Sequence, residues 1–143
     1  ELKRHWMQYL VVRISGFLET SISYIYNEYA SDKANARILS FLTARLENPG
    51  NLRTDRLYRL IKEFGQDWHD EVIGRPDAEQ IAAAVNSIVV NRNHVAHGEN
   101  ISVGINQARE YFMKIMVLLD FLVEQCERES HTGRLSQRRV ARH

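Results

Sequence analysis

Helix breakers are scarce in this chain. Two prolines and seven glycines stand among 143 residues, and between them apolar side chains recur at spacings of three and four rather than two. That is the period of one face of an α-helix, and no stretch alternates as a half-buried strand would. An isolated helix cannot bury its apolar stripe, so the expected fold is all-α, an antiparallel bundle of four to five helices joined by short loops. At 44% hydrophobic residues the chain has enough apolar material for one continuous core and one domain.

A first helix is expected from about Leu2 to Ala30, with Leu10, Ile14, Phe17, Leu18, Ile25 and Tyr29 inward and Trp6 near the edge. Ser31 and Asp32 read as a break and cap before a second helix from about Lys33 to Glu47, with Leu39, Leu42 and Leu46 inward and a turn at Asn48-Pro49-Gly50-Asn51. A third helix starts at a Thr54 or Asn51 cap and carries Leu57, Leu60, Ile61 and Phe64. Gly65 weakens it before a short helical turn around Trp68. Arg75-Pro76-Asp77 opens the next helix, whose buried line is Ile81, Ala84, Val85, Ile88 and Val95 and whose stop is Gly98.

The last helix is expected from Ser102 to about Glu129, along a seam of Ile105, Ala108, Phe112, Ile115, Leu119, Leu122 and Cys126. Val117, Leu118 and Phe121 widen its apolar face, which implies burial on two sides, either within the monomer or against a second copy. The first, fourth and last long helices are expected to build the dominant core. The domain then spans 1–130, and 131–143 reads as a basic tail, flexible and able to touch a phosphate backbone.

Nineteen basic and eighteen acidic residues leave a net charge of +1, so any polyanion must be held by local clustering of cations. The single cysteine, Cys126, cannot close an internal disulfide and reads as a core thiol in a reducing compartment. No apolar run reaches the roughly 20 residues that cross a bilayer, and no secretory leader is recognisable, so a cytoplasmic location and no membrane contact are expected. The chain opens at Glu1 rather than methionine, as either an excised piece or a chain lacking its disordered start would.

The most informative short segment is Asn91-Arg92-Asn93-His94-Val95-Ala96-His97-Gly98. With its position at the end of a penultimate helix and before a long amphipathic one, it resembles the signature of HEPN domains, and of the RiboL-PSP-HEPN kind among them. That signature is an arginine, a polar residue, three further positions and a histidine, often followed by glycine. The resemblance implies a helical bundle that forms a homodimer with the two motifs facing each other, and an RNA substrate cut without a metal. It also implies roles as toxin, anti-phage effector or RNA-processing factor, with a separately encoded antitoxin or minimal nucleotidyltransferase as partner. Other members serve as catalytically silent modules for dimerisation or for nucleotide or protein binding, which is the alternative here.

The residues suit that chemistry. RNA supplies its own nucleophile in the 2′-hydroxyl, so cleavage to a 2′,3′-cyclic phosphate needs a proton-transfer group and a cation to steady the charge at phosphorus. His97 titrates near neutrality, and the guanidinium of Arg92 can grip two phosphate oxygens. Asn93 can hold the phosphate or orient His97. No cofactor and no metal are called for: His94 and His97 lack further ligands around them. His94 reads as a supporting residue or a solvated histidine. On the family pattern, Glu19 of the first helix is the candidate for orienting Arg92 or His97, against the plainer reading of an exposed carboxylate.

One geometric difficulty stands. Residues five apart on an unbroken helix diverge by roughly 140°. Either the helix ends between Arg92 and His97, or a partner chain brings its own pair across a twofold axis. Without either, the two residues are a surface arginine and a histidine capping a helix C-terminus. Tyr24, Tyr26 and Tyr111 can stack on bases or fill the core, and His69-Asp70-Glu71 reads as a charged cluster in a loop-like region with no chemistry assigned.

Overall fold

The long breaker-free run at the start of the chain folds as one helix, α1 (Leu2–Ser31), in a computed structural model that describes residues 1–47 and 50–140. Then follow α2 (Ala36–Leu46), α3 (Thr54–Phe64), α4 (Gln66–Ile73), α5 (Ala78–Ala96) and α6 (Ile105–Val140), and no strand occurs among the described residues. The all-α bundle holds, with one more helix than expected, because the short turn around Trp68 is a helix in its own right. His69-Asp70-Glu71 therefore lies on α4 rather than in a loop.

The chief packing is of α5 on α6, α1 on α6 and α1 on α5, the three long helices expected to form the core. Leu18, Ile22 and Tyr26 of α1, Ile81, Val85 and Ile88 of α5, and Ile115, Leu118, Leu119 and Leu122 of α6 form one buried cluster with Leu57, Ile61 and Trp68. Cys126 joins it, and burial pushes its thiol up to about 11, so it is an unreactive core residue.

On α1 the buried line differs from the expected one. Met7, Val11, Ser15, Leu18, Ile22, Tyr26 and Ala30 are enclosed, whereas Leu10, Ile14, Ile25 and Tyr29 are half-buried and Phe17 is 40% exposed. Apolar residues cover a wide arc of this helix, and the direction in which α5 and α6 pack selects one edge of it. Phe17 instead meets Phe112 of α6 at a ring separation of 5.6 Å.

Several helix ends also move. Asn35, not Ser31 or Asp32, caps α2, its Oδ1 accepting from the Ile38 N–H at 3.1 Å. The residue before α3 is Arg53, which supplies no side-chain cap. That role passes to Asn86 of α5, whose Oδ1 accepts from both the N–H and the Oγ1 of Thr54 at 2.9 and 3.0 Å. α6 starts at Ile105 rather than Ser102 and continues past Glu129 to Val140. Of its widened face, Leu118 is buried and Phe121 lies under the Arg75 guanidinium at 4.6 Å, both served within the monomer, while Val117 is 42% exposed. Asn48 and Pro49 of the expected turn, and most of the expected basic tail apart from the helical backbone of α6, lie outside the described residues.

Gly98 ends α5 as expected. It takes φ +72°, its N–H donates to the Val95 carbonyl and the Glu99 N–H donates to the His94 carbonyl, the paired bonds of a Schellman motif. No helix among the described residues is long and apolar enough to cross a membrane.

The cap lent by α5 to α3 is open to direct measurement. Asn86→Ala removes both bonds to Thr54 and should lower stability by about 1–2 kcal/mol. In urea unfolding the midpoint should fall while the slope and the helical circular dichroism stay those of the parent.

Candidate active site

On α5, Arg92 lies four residues past Ile88 and seven past Val85, so it continues the core-facing line of the helix. At that level the apolar core gives way to a polar cavity of about 620 Å³, which Arg92 lines together with Glu19, Ser23 and Asn27 of α1 and Glu47, Gly50 and Asn51 beyond α2. The half-buried guanidinium donates from Nη1 to Oδ1 of Asn51 at 3.4 Å and of Asn93 at 3.3 Å. Both bonds are long, so the side chain is steered rather than tied down.

The opposite wall is a polar edge of α1. Glu19, Ser23 and Asn27 follow one another at intervals of four and so share a face. Ser23 Oγ donates to the Leu46 carbonyl, and Thr43 Oγ1 donates to Asn27 Oδ1 at 3.0 Å, which fastens α2 along this edge and closes one side of the cavity. Glu19 remains for the cavity itself. Partial burial pushes its carboxyl above the ordinary carboxylate range, and the charge of Arg92 pulls it down only in part. Glu19 thus stands beside Arg92, whereas the plainer reading made it an exposed carboxylate.

His97 points elsewhere. α5 continues to Ala96, and His97, at φ −92° and ψ 6°, is its C-cap, so the backbone does not bend between Arg92 and His97 and their divergence of roughly 140° persists. The imidazole of His97 is exposed and makes no side-chain hydrogen bond among the described residues. Asn93 lies between the two directions and touches Arg92.

His94 lies on the side of α5 away from Arg92, three residues before His97. Its Nδ1 pairs with Oε2 of Glu99, the residue whose backbone N–H already meets the His94 carbonyl. His94 and Glu99 together brace the Gly98 turn and with it the residue that carries His97. Sequence reading missed Glu99, Asn51 and Glu47. Glu99 was recoverable from its place just past Gly98, whereas Asn51 and Glu47 reach the cavity only through the turn after α2. Among the described residues, no three histidine, cysteine, aspartate or glutamate side chains are grouped as a metal site.

Comparison with protein families returns a match to the RiboL-PSP-HEPN model over residues 1–128, and the chain belongs to that family. The comparisons with curated proteins and with solved structures returned no match.

The raised carboxyl of Glu19 fixes a pH dependence. Folding favours its protonated form, so its contribution is fully present below about 4.5 and is lost as pH rises through the higher folded value. Glu19→Gln does not titrate. The stability of that variant relative to the parent should therefore move in its favour between pH 4 and pH 7, followed by urea unfolding across that range. A difference that moves the other way would mean that the Arg92 charge, and not burial, governs Glu19.

Proposed function

We propose that this RiboL-PSP-HEPN domain is an endoribonuclease that cuts RNA without a metal, with Arg92, Asn93 and His97 as its working residues and Glu19 as a positioning residue. One observation carries the reading: an always-charged side chain occupies the core-facing line of α5 where a leucine would extend the core, and opens into a polar cavity rather than a matched ion pair. Placing a cation there costs desolvation without adding packing, an arrangement expected where charge is needed for a ligand.

In the proposed reaction one imidazole takes the proton of the 2′-hydroxyl as its oxygen attacks the neighbouring phosphorus. The bond from phosphorus to the 5′-oxygen breaks, and that oxygen receives the proton back from the same imidazolium as it leaves. The products are a 2′,3′-cyclic phosphate and a 5′-hydroxyl. The Arg92 guanidinium neutralises the non-bridging oxygens as charge builds. Because Arg92 and His97 of one chain diverge, the site is completed in a homodimer, His97 of one copy serving the phosphate held by Arg92 of the other. Exposed Trp6, Phe17 and Tyr24 on α1 and Met113 and Val117 on α6 supply apolar surface for such an association. A cytoplasmic toxin or anti-phage effector, controlled by a separately encoded antitoxin or nucleotidyltransferase, is the setting that suits this activity.

A mixed RNA pool incubated with the protein in chelator should be cut to cyclic phosphate ends. Arg92→Ala and His97→Ala should each lower the rate by roughly a hundredfold to ten-thousandfold, with the fold and dimer unchanged in circular dichroism and light scattering. Mixing the two inactive variants in equal amounts should recover part of the activity, since half of the dimers formed pair one variant with the other and each of those carries one complete pair. Cleavage that needs magnesium, or variants that cut like the parent, would overturn the reading. A dimeric parent that cuts no RNA would make the silent module the better account.

A further inference from the structure

Beside the Arg92 cavity, on the other side of the turn that follows α2, lies a second cleft of about 270 Å³ between α2 and α3, lined by Arg45, Leu46, Leu52, Arg56, Arg59, Leu60 and Glu63. Arg56, Arg59 and Glu63 are spaced three and four apart on α3 and so form one stripe facing the cleft. Glu63 is committed: both its carboxylate oxygens accept from Arg45 Nη2, at 2.9 and 2.8 Å, which clamps α2 to α3 at one end. Arg56 and Arg59 have no carboxylate partner among the described residues. In a chain of net charge +1 the cleft thus concentrates two uncompensated guanidinium groups at one place.

The two cavities adjoin at Gly50. Gly50, at φ +64°, lines the Arg92 cavity, and a Cβ there would stand 2.8 Å from Nη1 of Arg56, so the Arg56 guanidinium lies directly over the turn. Asn51, the next residue, accepts from Arg92. The Arg92 cavity itself sets one guanidinium beside the carboxyl groups of Glu19 and Glu47, enough to meet one phosphate but with little surplus positive charge to hold a whole strand.

We infer that Arg56 and Arg59 form an anchoring site for the backbone phosphates of a single RNA strand, from which the strand passes over Gly50 to the phosphate at Arg92. The inference rests on the ribonuclease reading for its choice of RNA. Phosphate contacts of this kind hold and orient a strand without reading its bases. Both side chains are exposed and neither belongs to the core, so their replacement leaves the fold in place.

The test is a titration of fluorescein-labelled single-stranded RNA by fluorescence anisotropy, in chelator, over a series of salt concentrations. All proteins carry His97→Ala so that no RNA is cut. Arg56→Gln with Arg59→Gln should weaken binding on the order of tenfold and lower the salt slope by about 0.7 for each arginine removed. Replacing both by lysine should keep most of the slope. Inorganic phosphate and pyrophosphate, tested as competitors, should displace RNA only at far higher concentration, because a strand engages both arginines and Arg92 together. Binding and slope equal to the parent in the double glutamine variant would overturn the inference, as would a parent that binds no RNA. The two readings separate cleanly. RNA that is bound through these arginines but never cut by the native chain leaves the anchor standing and removes the nuclease, whereas cleavage that ignores the double variant does the reverse.

Discussion

Ile81, Ala84, Val85, Ile88 and Val89 of α5 fill the space between α1 and α6, and each of these side chains is enclosed. Burying residues of this size contributes about 1.5–3 kcal/mol apiece for the larger ones, against roughly 0–1 kcal/mol for an exposed ion pair such as Arg45 with Glu63. The apolar face therefore sets the rotation of α5, and the polar groups go where that rotation sends them. Asn86 meets the first turn of α3, Arg92 enters the seam with α1, and His97 leaves toward solvent. A slip of α5 by one residue would misplace all three together.

Arg92 is the expensive member of that set. Seven residues earlier the same line carries Val85, fully buried, and a leucine at 92 would extend the core at no electrostatic cost. The fold accommodates the cation with a hydrophilic wall, Glu19, Ser23 and Asn27 on α1, rather than with one tight carboxylate. Ser23 and Asn27 spend their hydrogen bonds on α2. Glu19 keeps its carboxyl facing the cavity, held toward its neutral form more by burial than it is ionised by Arg92. A cation so loosely matched retains capacity for a second anion, which a closed salt bridge would not.

Much of this was legible in the sequence, and the misses have physical causes. The three core helices, the Gly98 stop and the buried Cys126 follow from periodicity and from what glycine alone adopts at positive φ. The face of α1 did not follow, because Leu10, Ile14 and Phe17 make a richer stripe than Met7, Val11 and Ser15. Hydrophobicity alone would not choose the line containing a serine, and only the positions of α5 and α6 do. Arg92 and Glu19 were nameable from the resemblance to HEPN domains, Arg92 by the motif itself and Glu19 by the family's pattern of a polar or acidic residue on an early helix. Asn51 and Arg56 were not, since their place depends on a turn at Gly50 and on how α3 leans against α2, neither of which has a period to read. For the same reason the cap of α3 by Asn86 was invisible: the residue that completes the helix lies thirty-two positions away.

The direction of His97 has the firmest structural basis of the site and the most consequence. A histidine on a slack loop can swing toward its arginine, but this one follows an unbroken helix and precedes a turn held by two backbone bonds and by the His94 pair with Glu99. Turning the backbone at His97 toward the Arg92 side of α5 would release those bonds together. The costs of losing a helix cap and a satisfied turn add, at roughly 1 kcal/mol each, with nothing in the monomer to offset them. Chemistry that needs both groups at one phosphate is therefore more readily met by a second copy of the chain than by motion in the first. In the proposed homodimer each α5 terminus would serve as a rigid arm, with its arginine turned inward and its histidine turned out.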